Sequence, residues 1–435
     1  MFVFLFCIMI KSLKPVLILP GLYGSNLVAT ASHYSQYWFC PQELDHEIFW
    51  LNDKYLIPPF HNCLFELLQC HYDEETDRIT SQPGVHVDVV DFGGSKGLDY
   101  IDHGLGDIHA IESFGNILKV LQRRGYKMYK DLFGVPFDWR LTVVGLQDFF
   151  PRLQRLIEKA YRINKNQKVT LVGCSCGGFV THYFLTQVVD EEWKNKYVEK
   201  VVLIAPAISG SAYSLFTAWK LTLPIVPFLK SEGARLSVQK IPVIHSMFPN
   251  FEVFQDIPVV YGPNDQKIYP KDIPKFLFDH QKLINTSYAI LNKTIPIISK
   301  APEEIGLPVY LMYNDGYDTP SALNMSVEFN EEPESIFMPG DTTLTAYGQT
   351  YPCRNWSQKY PLVCHNFHMK EYHFIHAPIF QNDYVADLLF NVTNNEDWIK
   401  TPGKREIIGP HVEIDDYGKY NERNDIREKV ENPLP

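Results

Sequence analysis

Short apolar runs alternate along the chain with stretches in which apolar residues recur every three or four positions. Apolar runs bounded by Gly or Pro predict buried strands, at residues 15–19, 168–172, 200–205 and 307–313. Amphipathic spacing predicts helices, at residues 111–124, 147–163 and 177–189. Apolar strands that alternate with amphipathic helices favour a mostly parallel sheet with helices on both faces.

Three regions depart from this alternation. Residues 30–90 are rich in aromatic residues and cysteine, and they predict an irregular insertion. A second insertion, a cap or lid, is predicted over about 207–300. The polar residues 401–435 predict a tail that follows the surface or is disordered. Residues 13–400 would then form one domain, preceded at 1–12 by a signal segment or a buried strand.

Composition narrows the classes of function. The 435 residues are 45% hydrophobic and 14% aromatic, so the chain has enough apolar surface to fold. The net charge of −11, without a long basic run, argues against nucleic-acid binding. No apolar run approaches the roughly 20 residues that cross a bilayer. Eight cysteines and five N-glycosylation sequons favour the secretory pathway; the sequons are at Asn285, Asn292, Asn324, Asn355 and Asn391.

The sequence Gly-Cys-Ser-Cys-Gly at 173–177 joins a predicted strand to a predicted helix. G-x-S-x-G in this context is the nucleophile elbow of an α/β-hydrolase, where small residues are needed because the backbone passes close to its neighbours. Ser175 is therefore the predicted nucleophile, and the N–H of Cys176 is a predicted oxyanion donor. The alternative is a Gly-rich turn with a capping Ser175. The flanking cysteines are predicted to be small packing residues.

The remaining parts of such a site are expected at fixed places in the chain. The loop after the first strand, Pro-Gly-Leu-Tyr-Gly at 20–24, offers the N–H of Leu22 as the second oxyanion donor. The acid follows the nucleophile, and the histidine comes last. Asp341, in a turn-rich segment, is the favoured acid, and spacing does not choose among the histidines. The candidates are Asp315, Asp318 and Asp341, with His368, His373 and His376.

Over residues 15–395 these segments resemble a known family. The stretch 16–27 is similar to the family's oxyanion loop, and Val-Pro-Phe-Asp-Trp-Arg at 135–140 matches a specific family signature. The elbow at 171–178 and Asp-Thr-Pro at 318–320 follow in the family's order. The chain resembles the lecithin:cholesterol acyltransferase and lysosomal phospholipase A2 group of α/β-hydrolases. Departures lie beside the elbow, where Ala-Ile-Ser-Gly-Ser at 207–211 replaces the usual Trp-Gly-Gly-Ser.

The resemblance implies a catalytic pair. The acid is the Asp of a Gly-Asp-x-Thr turn, which is Asp341 here. The base is a His with apolar residues three and four positions later. His376 fits, with Ile379 and Phe380, whereas His373 has a histidine at the third position.

The resemblance also implies a small lid loop closed by a Cys40–Cys63 disulfide. Aromatic and aliphatic residues within it suit a lipid interface, although a buried subdomain core is the alternative; the lipid-facing candidates are Trp50, Leu51, Ile57 and Phe60. The family's second disulfide is not matched, and Cys353 and Cys364 are the candidates for a different bridge. Residues 220–230 correspond in order to the family's mobile lid.

The implied activity is transfer of an acyl chain from a glycerophospholipid to water or a lipid alcohol, with neither a cofactor nor a metal. The implied setting is a membrane or lipoprotein-like surface in a secreted, lysosomal or vacuolar lumen. Because the chain is acidic, binding to that surface should depend on apolar contact. Two alternatives are another lipase or esterase of this fold and a catalytically silent lipid-binding protein.

Overall fold

The structure of the protein is a computed structural model. It describes residues 12–102, 111–224, 231–330, 332–357, 359–395, 397–399, 405–409, 413–414 and 420–421. Residues 1–11 of the predicted signal segment, residues 225–230 of the predicted mobile lid and most of the predicted tail lie outside the described residues.

The strands, in chain order, are β1 (Val16–Leu19), β2 (Leu27–Ser32), β3 (Glu43–Trp50), β4 (Cys70–Asp73), β5 (Arg78–Ser81), β6 (Val85–Val89), β7 (Leu132–Gly134), β8 (Val169–Cys174), β9 (Val198–Ile204), β10 (Val260–Tyr261), β11 (Lys267–Ile268), β12 (Val309–Tyr313), β13 (Tyr317–Asn324), β14 (Glu334–Gly340), β15 (Leu362–Asn366), β16 (Arg405–Ile408), β17 (Glu413–Ile414) and β18 (Tyr420–Asn421).

The α-helices are α1 (His61–Leu68), α2 (Gly115–Arg123), α3 (Thr142–Gly145), α4 (Phe149–Ile163), α5 (Cys176–Tyr183), α6 (Glu191–Tyr197), α7 (Ala212–Lys220), α8 (Glu232–Lys240), α9 (Pro242–Ser246), α10 (Ile273–Asp279), α11 (Asn285–Ile298), α12 (Ala346–Gln349), α13 (Tyr351–Asn355) and α14 (Asp383–Asn394). A π-helical segment, Phe184–Val188, continues α5. Among these described helices, none is long and apolar enough to cross a membrane.

A parallel sheet of seven strands, in the order β16-β15-β12-β9-β8-β1-β7, forms the centre of the described chain. Side chains of β1 alternate between two cores, as the period of a strand requires. Leu17 and Leu19 pack with α4 and α5, while Val16 and Ile18 pack with α2 and α14. The predicted fold class, an α/β-hydrolase with a mostly parallel sheet covered on both faces, is confirmed.

The 30–90 region is regular, so the predicted irregular insertion was wrong in that respect. It contains the antiparallel sheet β3-β2-β6, helix α1 and the hairpin β4-β5. These strands mix buried apolar residues with exposed polar ones; in β3, Leu44, Phe49 and Trp50 are buried, whereas Glu43, Asp45 and His46 are exposed. Continuous apolar runs, which mark strands of a parallel sheet, are therefore missing from this part of the sequence.

The predicted cap at 207–300 consists mainly of helices α7 to α11. Its short strand β10 joins β11, β13 and β14 in a second sheet, in the order β11-β10-β13-β14. This second sheet stands beside the central one and ends at Gly340, so it places the residue that follows, Asp341.

The tail prediction was wrong for residues 405–408. Arg405–Ile408 pairs in parallel with β15 and forms an edge of the central sheet. The sequence Arg-Glu-Ile-Ile of this strand is too short and too charged to resemble the apolar runs of the inner strands.

Two disulfides are present in the described residues. Cys40 is bonded to Cys63 and ties the segment before β3 to α1, as the resemblance implies. Cys353 of α13 is bonded to Cys364 of β15. Cys70, which had no predicted role, is a buried free cysteine.

His245 of α9 is a titratable group inside the core. Its side chain is fully buried beside Phe248, and within the described structure neither ring nitrogen has a hydrogen-bond partner. Burial disfavours the charged form and lowers the pKa of His245 to about 3. Burial also lowers the pKa of His182, and that of His365 to about 4.

We expect the free energy of unfolding to fall as the pH falls below about 6.5, the pKa of a histidine in the unfolded chain. There the unfolded chain binds a proton at residue 245 and the folded chain does not, so the loss at this residue is about 2 kcal/mol between pH 7 and pH 5. Urea unfolding of His245→Leu at both pH values should show that much less loss than wild type. The same change at exposed His71 is the control, and an equal pH dependence in wild type and His245→Leu would contradict the expectation.

Candidate active site

Ser175 stands at the turn between β8 and α5 in a conformation that residues with a β-carbon seldom adopt. Its φ is 51° and its ψ is −120°. The turn is tight on both sides. A β-carbon on Gly173 would lie 2.7 Å from the Cα of Gly178, and one on Gly177 would lie 2.3 Å from the carbonyl oxygen of Pro20. Glycine is therefore required at both flanking positions, and the serine is left at the crest of the turn.

His376 lies between Ser175 and Asp341. Its Nε2 is 2.8 Å from the Oγ of Ser175, and its Nδ1 is 2.8 Å from the Oδ2 of Asp341. The backbone N–H of His376 also donates to the carbonyl of Asp341, at 2.8 Å. In the tautomer whose Nδ1–H donates to Asp341, Nε2 is the acceptor and can take the proton of the serine.

Asp341 is fully buried, and its carboxylate is satisfied by donors from the turn that follows β14. Oδ1 accepts the backbone N–H groups of Thr343 and Leu344, at 3.0 and 2.7 Å. Oδ2 accepts from the side-chain amide of Gln349, at 3.2 Å, as well as from His376. Hydrogen bonds of this kind stabilise a charge that has no water. The sequence analysis missed Gln349, whose only signal is its place eight residues after the acid.

The other sequence candidates are separated from Ser175. Asp315 is hydrogen-bonded to His368, with 2.7 Å between Oδ1 and Nδ1, and accepts a second bond from the amide of Asn366. Asp318 and His373 are exposed. Asp341 and His376 are the pair that the structure brings to Ser175.

The two predicted oxyanion donors flank Ser175. A β-carbon on Gly21 would lie 3.0 Å from the Cβ of Ser175, so the loop after β1 passes directly beside the nucleophile. The N–H groups of Leu22 and Cys176 donate to no protein group in the described structure. Both residues line the same cavity as Ser175. Unsatisfied N–H groups on two sides of a nucleophile are suited to bind a developing oxyanion.

The thiols on either side of Ser175 are unsuited to nucleophilic attack. Burial raises the pKa of the Cys176 thiol to about 12, and it raises the pKa of the Cys174 thiol further. Because the thiolate is the nucleophilic form of cysteine, both groups are inert near neutral pH. They are packing residues of the elbow, as the sequence predicts.

A cavity of about 480 Å³ opens at Ser175. Apolar side chains form most of its wall, among them Leu22, Phe114, Ile244, Met247, Pro378 and Phe380. Hydroxyl groups are contributed by α7 and the residue before it, at Ser211, Tyr213, Ser214 and Thr217. A mostly apolar cavity with a few polar groups at one side suits a long hydrocarbon chain that ends in a polar group.

Two of the four lipid-facing candidates are buried, so that prediction was wrong for Trp50 and Leu51. Their exposed fractions are 0% and 1%, because the end of β3 turns into the core beside the oxyanion loop. Ile57 and Phe60 are exposed, at 60% and 39%. Trp38, which the sequence analysis did not single out, is 91% exposed.

The sequon asparagines lie at the surface or near it. Asn324 is half-buried in β13, where its amide donates to Glu334 at 3.2 Å. The other four are exposed, namely Asn285, Asn292, Asn355 and Asn391.

The sequence was compared with models of known families. The model described as lecithin:cholesterol acyltransferase matches residues 46–300, which is more than half of the chain. The chain belongs to the lecithin:cholesterol acyltransferase family. The matched residues include Ser175 and end before Asp341 and His376.

Individual members of the family are similar over longer spans. Lecithin-cholesterol acyltransferase-like 1 of Arabidopsis thaliana is 27% identical and covers 68% of this chain and 69% of its own. Lysosomal phospholipase A and acyltransferase of Bos taurus is 24% identical, over 79% of this chain and 83% of its own. Phosphatidylcholine-sterol acyltransferase of Gallus gallus is 23% identical, over 80% of this chain and 82% of its own.

We expect His376→Ala to slow the labelling of Ser175 by a fluorophosphonate by about 10⁴-fold, because the serine then lacks the group that takes its proton. The rate is measured by intact-protein mass against time. His373→Ala is the matched control, since His373 is exposed and three residues away, and its rate should stay within about twofold of wild type. Equal labelling rates for the two variants would show that His376 does not activate Ser175.

Proposed function

We propose that this protein is a serine-dependent lipid acyl hydrolase and acyltransferase that acts on glycerophospholipids. The observation that carries the proposal is the chain of hydrogen bonds from Ser175 through His376 to Asp341. Ser175 and His376 line an apolar cavity that is large enough for part of an acyl chain. The names of its relatives, which include phospholipase A and phosphatidylcholine-sterol acyltransferase, support the same chemistry.

In the first step the Oγ of Ser175 attacks an ester carbonyl of the phospholipid while Nε2 of His376 takes the serine proton. The carbonyl oxygen becomes an oxyanion, which the N–H groups of Leu22 and Cys176 bind. Asp341 stabilises the imidazolium. The tetrahedral intermediate then breaks its bond to the glycerol oxygen, His376 returns the proton to that oxygen, and lysophospholipid leaves the acyl-enzyme.

In the second step an O–H group replaces the lysophospholipid. His376 takes the proton of water or of a lipid alcohol such as a sterol or diacylglycerol, whose oxygen attacks the acyl carbonyl. Collapse of the second intermediate returns the proton to Ser175. The products are a free fatty acid with water, or a new ester with the alcohol. The two outcomes differ only in how much water reaches the acyl-enzyme.

The protein is proposed to meet its substrate at a membrane or lipoprotein-like surface. We define the apolar patch as Trp38, Phe39, Ile57 and Phe60, which lie around the Cys40–Cys63 bridge. The ring of Phe39 is 5.9 Å from that of Trp38 and 6.4 Å from that of Phe60. Exposed aromatic residues insert between lipid head groups without a need for positive charge. This suits a chain with a net charge of −11.

A lumenal compartment of the secretory pathway is the proposed location. Disulfides persist in oxidising compartments, and the described residues contain two of them. The exposed sequons are accessible to glycosylation. Relatives named lysosomal support a secreted, lysosomal or vacuolar lumen.

We expect Ser175→Ala to abolish acyl transfer, lowering kcat by about 10⁶-fold, because no other group can form the acyl-enzyme. Mass spectrometry of phosphatidylcholine vesicles, with and without a sterol or diacylglycerol, identifies the fatty acid, the lysophospholipid and any new ester. A melting temperature of Ser175→Ala within a few degrees of that of the wild type shows that the variant is folded.

Three results would contradict the proposal. Unlabelled wild-type Ser175 indicates a silent lipid-binding protein. Hydrolysis of triacylglycerol or short esters without hydrolysis of phosphatidylcholine indicates another lipase or esterase. Retained activity in Ser175→Ala places the nucleophile elsewhere.

We expect serine at Trp38, Ile57 and Phe60 together to weaken binding to phosphatidylcholine vesicles by at least tenfold, since each exposed side chain contributes buried apolar area. Flotation of vesicles measures the bound fraction. The control is Val327→Ser with Phe337→Ser, two apolar residues that are 89% and 53% exposed outside the patch. Equal binding by both variants would show that the patch is not the lipid contact.

A further inference from the structure

The turn formed by residues 21–24 carries the Leu22 amide beside Ser175, and its backbone has an unusual conformation. The N–H of Gly24 donates to the carbonyl of Gly21 at 3.1 Å, which closes the turn. Its third residue, Tyr23, has a φ of 66°, while Leu22 has no positive φ. This is the pattern of a type II turn, which prefers glycine at the third position. A tyrosine persists in that conformation only where its surroundings hold it.

Trp50 provides such surroundings. Its indole N–H donates to the carbonyl oxygen of Tyr23, at 3.1 Å, and its ring centre is 5.2 Å from that of Tyr23. The side chain is fully buried. Trp139 packs edge-on against both rings, at 4.8 Å from each, yet its own indole N–H has no partner in the described structure. Two buried tryptophans therefore support Tyr23, and one of them also hydrogen-bonds to its backbone.

The backbone at Trp50 and Leu51 is itself held by hydrogen bonds to two other segments. Its carbonyl accepts from the side-chain amide of Asn26, at 3.2 Å, and Asn26 follows the turn by two residues. The N–H of the next residue, Leu51, donates to the carbonyl of Ile101, at 3.0 Å. Trp50 is thus held against the turn by its side chain and by its main chain.

We propose that Trp50 is a positioning residue for the oxyanion donor Leu22. It touches no substrate, and it acts by fixing the peptide groups of the 21–24 turn so that the Leu22 N–H faces the cavity. The proposal rests on the proposed function, because this orientation matters only to chemistry that forms an oxyanion. Trp50 also ends β3, directly before the segment that carries Ile57 and Phe60.

Two matched variants separate the hydrogen bond from the packing. Trp50→Phe and Trp139→Phe remove the same atoms from adjacent buried rings, but only the first removes a donor that is in use. Each variant is assayed with a soluble monomeric ester, p-nitrophenyl butyrate, and with a trifluoromethyl ketone, which binds as a tetrahedral oxyanion. Melting temperatures are compared in parallel.

For Trp50→Phe we expect kcat to fall and the inhibition constant of the ketone to rise, each by about tenfold, as for a misplaced oxyanion donor, with KM changed less than twofold. For Trp139→Phe we expect both constants to stay within about twofold of wild type, whatever the melting temperature does. Equal constants for the two variants would overturn the proposal, because packing alone would then account for both.

A second measurement does not depend on catalysis. Hydrogen exchange, followed by mass spectrometry of peptides that cover residues 20–26, should be faster in Trp50→Phe than in Trp139→Phe. Unchanged exchange overturns the role of Trp50 even if the protein hydrolyses esters. Faster exchange in a protein whose Ser175 is neither labelled nor catalytic supports the role of Trp50 and overturns the proposed function alone.

Discussion

The carboxylate of Asp341 is a charge without access to water, and the second half of the site depends on how that charge is satisfied. Four donors converge on it: two amides of its own turn, the side chain of Gln349 and the ring of His376. Removing any of them leaves part of a buried charge unsolvated, which is costly. The same bonds fix the direction of each carboxylate oxygen. The orientation of the histidine, and hence of its free nitrogen toward Ser175, follows from the electrostatics of one buried oxygen.

The first half of the site depends on steric limits instead. The chain passes so closely through the elbow that Gly173 and Gly177 have no room for a side chain, and a β-carbon on Gly21 would crowd Ser175. These contacts leave Ser175 exposed to the cavity and force two peptide N–H groups to face the same space. The parallel sheet makes this arrangement available, because β1 and β8 are neighbours and both end at the same edge. The position of Ser175 beside the amides of Leu22 and Cys176 is consequently a product of backbone packing, whereas the pairing of Asp341 with His376 is a product of hydrogen bonding.

The sequence predicts the parts of this protein that have strong local signals. The inner strands are continuous apolar runs, and the elbow requires small residues at known spacing, so both were predictable. Residues 405–408 were not, because an edge strand has few constraints on its side chains. Trp50 and Leu51 show a different limit: an aromatic residue near an exposed loop has the same pattern whether it faces lipid or the core. The direction of its side chain is set by tertiary contacts with Tyr23 and Trp139.

Local spacing could not choose among the three histidines. Two Asp–His pairs occur in the described residues, and only the pair of Asp341 and His376 has a serine within reach of the second ring nitrogen. The family resemblance favoured His376 through the apolar residues after it. Those residues, Ile379 and Phe380, are buried in the core that also contains α14. The apolar residues of the motif therefore anchor the loop that carries His376, and they take no part in the chemistry of the histidine.

The Cys353–Cys364 bridge affects how easily Asp341 and His376 come together during folding. Asp341 and His376 are 35 residues apart, and the bridge closes a ring across 11 of those residues between them. In an oxidised but unfolded chain the two ends are joined by a shorter tether, and the entropy lost when they meet is smaller. Oxidation thus raises the local concentration of His376 around Asp341 slightly before any tertiary structure forms. A cystine between the two residues in the sequence therefore gives their meeting a small dependence on the redox state of the compartment in which the chain folds.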